Sequence, residues 1–171
     1  MRQKRMVWAV GYVLLFATGC GKAEFKEFAS VDGRFKVQMP GTPKEEMPFA
    51  AGVSVKVYSV QETNGVYSVA FADLPLLTKE TTGQIQARLD GARDGMVKKA
   101  NATLTSAPSI TLRGAHPGRE VNADLPAQKG ILRAKVYLVD KRLYQVMVVG
   151  TKSWATSADA TKFLDSLVVT P

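Results

Sequence analysis

The sequence predicts an α+β fold, a mainly antiparallel β-sheet with two helices packed on it. Three observations carry this. Two stretches of strand-like alternation each fold back at a turn dipeptide, Asp32-Gly33 and Asn64-Gly65. A helical stripe follows them, with Ile85, Leu89, Ala92, Met96 and Ala100 spaced for one face of a helix. Later, Leu143, Tyr144, Val146, Met147, Val148 and Val149 leave almost no polar face. Such a strand is expected at the centre of a sheet that is covered on both sides.

Taken in order, Glu27 to Val31 and Arg34 to Met39 flank Asp32-Gly33. Phe35, Val37 and Met39 point one way and Arg34, Lys36 and Gln38 the other. A two-residue turn with positive φ at both positions sets Phe28 opposite Val37. Pro40-Gly41-Thr42-Pro43 ends the strand, because proline cannot donate to a ladder. Glu45 to Phe49 adds a short strand. Ser54 to Val60 and Val66 to Phe71 form the second hairpin, in which a turn at Asn64-Gly65 sets Tyr58 opposite Phe71 and Val60 opposite Val69. The helix is expected from about Thr81 to Lys99. Gly91 and Gly95 each cost about 1 kcal/mol relative to alanine inside it, and would allow close approach to the sheet. Strands are expected at Leu104 to Leu112, Gly118 to Ala123, Gly130 to Val139 and Leu143 to Val149. The last two join at Asp140-Lys141. Thr156 with Asp159 reads as a capping pattern for a short closing helix, with Ala160, Phe163, Leu164 and Leu167 on its inner face.

Two runs carry a likeness to a known family. Gly33-Arg34-Phe35-Lys36-Val37-Gln38-Met39-Pro40-Gly41-Thr42-Pro43 resembles the opening of small exported bacterial domains. Arg142-Leu143-Tyr144-Gln145-Val146, followed by Phe163-Leu164-Asp165-Ser166-Leu167, resembles their close. These domains are similar to the PsbP-like α-β-α sandwich. The resemblance implies that architecture and a role in binding or assembly; no catalytic motif travels with it, and a fold does not fix a function.

The beginning of the chain reads as an address. Met1-Arg2-Gln3-Lys4-Arg5 is basic, Met6 to Ala17 is apolar over 12 residues, and Ala17-Thr18-Gly19 brings small residues up to Cys20. This is the pattern of a secretory signal. The apolar run is shorter than the roughly 20 residues that a spanning helix needs. Ala17-Thr18-Gly19-Cys20 resembles the lipobox of bacterial lipoproteins, with Ala17 where leucine is commoner. The resemblance implies cleavage before Cys20, acylation of Cys20 and a firm membrane anchor. In proteobacterial lipoproteins an aspartate after the cysteine favours the inner membrane, so with Gly21 the resemblance implies the outer membrane. On this reading residues 1–19 are the signal, 20–24 a short tether and 25–171 one domain. The net charge falls from +8 to +5 once Arg2, Lys4 and Arg5 leave.

Composition excludes several chemistries. One Cys rules out an internal disulfide and a thiolate metal cage; one His rules out a multi-histidine zinc site. No nucleophile elbow, P-loop, dinucleotide fingerprint or H-E-x-x-H occurs. We therefore expect no enzyme and no cofactor. His116, in Gly114-Ala115-His116-Pro117-Gly118, reads as a loop histidine, and Glu45-Glu46 as a solvated strand edge. A carboxylate-based hydrolase would need two converging acids, which no spacing suggests.

Basic residues are concentrated late. From Thr81 onward 13 basic side chains face 7 acidic ones, whereas Cys20 to Glu80 holds 7 and 8. Arg113, Arg119, Lys129, Arg133, Lys135, Lys141 and Arg142 are candidates for contact with anionic lipids or an acidic envelope partner. Nucleic acid is an unsuitable partner for an exported chain. Trp154 reads as a packing residue. A ligand pocket between sheet and helix, lined by Tyr58, Phe71, Tyr137 and Tyr144, is the alternative role.

Overall fold

Alternating apolar residues build the strands, and where alternation stops the helices begin. The computed structural model of the chain describes residues 24–50, 52–75 and 80–171. The expected signal and Cys20 lie outside them. The strands are β1 (Phe25–Ser30), β2 (Phe35–Pro40), β3 (Lys44–Glu46), β4 (Phe49–Ala50), β5 (Val53–Ser54), β6 (Lys56–Glu62), β7 (Gly65–Asp73), β8 (Thr103–Ser106), β9 (Ser109–Leu112), β10 (His116–Leu125), β11 (Gly130–Val139), β12 (Arg142–Thr151) and β13 (Val168–Val169). The helices are α1 (Thr82–Lys99), α2 (Lys152–Ala155) and α3 (Ala158–Leu164). The main sheet runs β3-β6-β7-β12-β11-β10-β8, with β9 also on β10, and every pairing in it is antiparallel.

Strand β12 lies between β7 and β11 at the centre of this sheet, as its two apolar faces require. Tyr144, Val146 and Val148 enter one core with Phe35, Val37, Met39 and Phe163. Leu143, Met147 and Val149 pack on the other side, against a core of Leu89, Met96, Val121 and Leu132. The first core is closed by α2, α3 and a small separate sheet in the order β1-β2-β13. The second is closed by α1, whose Leu89 is fully buried. The turns at 113–115 and 140–141 mark what we term the upper end of the main sheet. The turn at 63–64 and the 126–129 connection mark the lower end.

The caps follow the chemistry of helix ends. Thr81 and Gln84 form a reciprocal capping box on α1, each side chain bonding the other's backbone N–H. The closing helix starts one residue later than expected. Ser157 Oγ accepts from the Ala160 N–H, while the Thr156 hydroxyl donates to the Lys152 carbonyl and closes α2. Ala160, Phe163 and Leu164 form the buried face of α3, as their spacing predicts, and Leu167 is buried beyond its end.

Two turns and one strand differ from expectation. The β1–β2 register pairs Phe28 with Val37 as expected, but the positive φ falls on Arg34 (50°), not on Asp32-Gly33. Gly33 is needed for space instead: a Cβ there would sit 2.6 Å from Phe35 Cδ1. In the second hairpin Tyr58 faces Val69 and Val60 faces Tyr67, a slip of two residues, and the turn is Thr63-Asn64. Gly65 belongs to the ladder because the Trp154 ring lies against it; a Cβ would meet Trp154 Cε3 at 2.6 Å and the Val149 carbonyl at 2.5 Å. A slip of two keeps every side chain on its own face. The expected strand at 104–112 is two, β8 and β9, interrupted at Ala107-Pro108.

Gly65→Ala should therefore lower stability by about 1–3 kcal/mol through overpacking. Combining it with Trp154→Ala should recover part of that loss, because the indole is one of its two obstacles; denaturant unfolding of the two single variants and the double variant measures both effects.

Candidate functional site

Most of the expected basic surface is engaged inside the fold. Arg119 on β10 is buried, donates to Asp90 on α1 at 2.9 Å, and also bonds Ser109 on β9. Asp90 accepts from Arg93 as well, at 3.0 Å. Arg133 on β11 reaches the Ala155 carbonyl at 3.0 Å and the Thr161 hydroxyl at 3.2 Å. Lys135 pairs with Asp165 at the end of α3. Arg142 grips Asp73 with two nitrogens at 2.7 and 2.8 Å, donates to the Asp32 carbonyl at 2.7 Å and stacks 4.9 Å over Phe71. The guanidinium holds the Asp73 carboxyl below its ordinary range, with Lys141 and Arg34 assisting. Arg113 and Lys141 remain exposed at the upper end, and Lys129 is exposed at the lower end. Of the candidate basic residues, Arg119, Arg133, Lys135 and Arg142 act as staples, because carboxylates and carbonyls distant in sequence come within reach of them.

The remaining chemical candidates are also placed. His116 opens β10 opposite Leu112. Glu45 pairs with Lys56 at 3.3 Å and Glu46 with Lys44 at 3.2 Å, so the adjacent acids serve different partners. Among the described residues no three His, Cys, Asp or Glu side chains are grouped to hold a metal. Trp154 packs 4.6 Å from Tyr67 and donates to Glu62 at 2.9 Å. Burial pushes the Tyr67 and Tyr137 phenols up to about 12, so both stay protonated at neutral pH.

What the fold leaves open is a groove beside α1. The helix rests on β10 and β11. The face of β12, β7 and β6 therefore lies next to α1 rather than under it. Two recesses of about 360 and 580 Å³ share Val55, Ala70, Gly95 and Gln145, and so form one groove. Its floor is Ala70, Ala72, Leu143 and Met147, its helix wall Gly91, Ala92 and Gly95, and its far wall Pro48, Val53 and Val55. This size is within the ordinary range for small-molecule sites. Small side chains on facing walls create the space. Gly91 and Gly95 were expected to bring α1 close to the sheet; instead a Cβ at either meets nothing within 4 Å.

Polar groups in the groove are few. The Gln145 amide donates to Met147 Sδ at 3.5 Å, a weak acceptor, and the Ser68 hydroxyl reaches the Met147 carbonyl only at 3.5 Å. Lys99 stands at the lower mouth. Arg88 at the upper mouth is already held by Glu80 at 2.6 Å and the Pro75 carbonyl at 2.8 Å. Of the four aromatic residues expected to line a pocket, Phe71 alone borders this one; Tyr58, Tyr137 and Tyr144 belong to the opposite core. Its only trace in the sequence is the pair of helix glycines, which read there as close approach to the sheet.

A mainly antiparallel sheet with α1 on one face and α2 and α3 on the other defines the PsbP-like α+β sandwich. The particular likeness is to cyanobacterial PsbP (CyanoP) from Synechocystis sp. PCC 6803, a solution structure that matches at TM-score 0.62 and 13% identity over 88% of this chain and 95% of that one. A protein of unknown function, PA94 from Pseudomonas aeruginosa, matches at TM-score 0.47 and 11% identity, over 86% and 98% of the two chains. No protein-family model and no curated protein matches the chain.

Replacing Gly91 or Gly95 with alanine should stabilise the protein by about 1 kcal/mol each, since helix propensity improves and no clash arises. Thermal unfolding of the two variants checks this; a loss of stability would mean that the glycines do serve packing.

Proposed function

We propose that this chain is a lipid-anchored, non-enzymatic binding domain of the cell envelope, and that it holds a small amphiphile in the groove beside α1. The observation that carries the binding part is the pair of helix glycines. They lower helix stability, relieve no clash, and face alanines on β7, so what they provide is open apolar space. The lining fits an extended apolar body, with Gln145 and Ser68 offering hydrogen bonds partway along and the Lys99 ammonium suited to an anionic head at the lower mouth. The lipobox-like Ala17-Thr18-Gly19-Cys20 supports the anchor, and Gly21 supports the outer membrane. The absence of catalytic motifs from the sequence supports a role without chemistry.

Both parts can be tested. The chain from residue 20 with Cys20→Ser should bind anilinonaphthalene sulfonate saturably, and dodecanoate should displace it. Gly95→Leu, which fills the groove, should abolish binding while leaving the melting temperature equal or higher. Undiminished binding to Gly95→Leu would overturn the groove assignment. Cells fed a fatty-acid probe should label the wild-type chain and not Cys20→Ser; an unlabelled wild type would overturn the anchor.

A further inference from the structure

We infer that the lower end of the sheet is the face this domain turns to its membrane, where exposed lysines meet anionic lipid head groups. This rests on the anchor reading and shares only Lys99 with the groove. Phe25 begins β1 with its ring 5.6 Å from Tyr67, two residues beyond Gly65 at the lower end. The chain therefore enters the domain there. Four residues separate Cys20 from Phe25, a reach of at most ~14 Å.

Topology gathers cations around that point from elements distant in sequence. Lys98 and Lys99 end α1, Lys129 lies in the connection from β10 to β11, Lys152 starts α2, and Lys162 lies 5.5 Å over the Phe25 ring. All five are exposed, and none forms an ion pair with a described carboxylate. The acids at this end are Glu24, Glu62, Asp124 and Asp159; Glu24 pairs with Lys26 at 3.5 Å and Glu62 accepts from Trp154 at 2.9 Å. Positive charge is therefore in excess. At the upper end Arg142 is paired with Asp73, Lys56 with Asp32 and Glu45, Asp140 sits beside Lys141, and the exposed Arg34 lies near Asp73 and Asp140. Six residues of β1 place that end roughly 20 Å from the membrane-proximal end. This is about 2.5 Debye lengths at physiological salt. Arg113 and Lys141, the exposed members of the expected basic set at that end, are thus on the far side from the anchor.

The test uses the chain from residue 20 with Cys20→Ser, which keeps both cores because they close within residues 25–169. The probes are vesicles of phosphatidylcholine alone and of phosphatidylcholine mixed with phosphatidylglycerol. Cosedimentation should favour the anionic vesicles and weaken as salt rises. Each lysine near the surface is worth about fivefold in partition. The triple variant Lys98→Gln, Lys129→Gln, Lys152→Gln should thus lose on the order of a hundredfold. Arg113→Gln with Lys141→Gln should lose nothing. Circular dichroism melts of both variants should match the parent, which separates lost binding from unfolding. Equal binding to both vesicles, a triple variant that binds like the parent, or an equal loss in the Arg113/Lys141 variant would overturn the inference. Fatty-acid labelling of cells is scored separately: labelled chain without anionic preference fails this inference alone, and an unlabelled chain fails the anchor reading.

Discussion

Strand β12 carries apolar side chains on both faces, and both must be shielded from water. That requirement organises the molecule. Tyr144, Val146 and Val148 need α2, α3 and the β1-β2-β13 sheet above them; Leu143, Met147 and Val149 need something on the other side. The two coverings are unequal. One face is closed by two helices and a three-stranded sheet. The other has one long helix, set over β10 and β11 by the Arg119–Asp90 pair, and the short β4-β5 hairpin on the opposite side of the groove. A single helix cannot span the width of the main sheet, so the flank over β7 and β12 stays accessible.

The helix position and the groove are therefore two views of one arrangement. Arg119 comes from the sheet, is buried, and shares Asp90 with Arg93. A buried arginine whose carboxylate is fixed from two sides is a specific locating contact, since removing one partner leaves an uncompensated charge. With α1 held to that side, Gly91 and Gly95 form a wall rather than a seam. The lower mouth of the groove, at Lys99, lies at the same end of the sheet as Phe25, where the chain emerges. On the proposed orientation the mouth opens towards the bilayer, within reach of single-chain amphiphiles that partition there.

Local patterns in the sequence identified most of this architecture. Alternation located the strands, the i, i+4 stripe located α1, and the run from Leu143 to Val149 located the sheet's centre. What local patterns could not carry is what depends on approach in space. The second hairpin slipped by two residues because Gly65 had to lie against Trp154, a residue 89 positions later in the sequence. The basic residues looked like a surface because their partners, Asp90 for Arg119 and Asp73 for Arg142, are 29 and 69 positions away. The separate β1-β2-β13 sheet was missed because two residues, Val168 and Val169, are too short a run to read as a strand. The groove was hidden for a related reason: two glycines in a helix signal close approach or open space equally well, and only the positions of the neighbouring walls decide.

The flank of the sheet left open beside α1 is the surface we propose for binding. Its most direct test is amide chemical-shift mapping of the chain from residue 20 with Cys20→Ser, titrated with dodecanoate below its micelle concentration. Saturable shifts are expected at Ala70, Ala72, Gly91, Gly95, Gln145 and their neighbours alone. Shifts confined to α2, α3 and the β1-β2-β13 sheet, or no saturable shifts at all, would contradict that proposal.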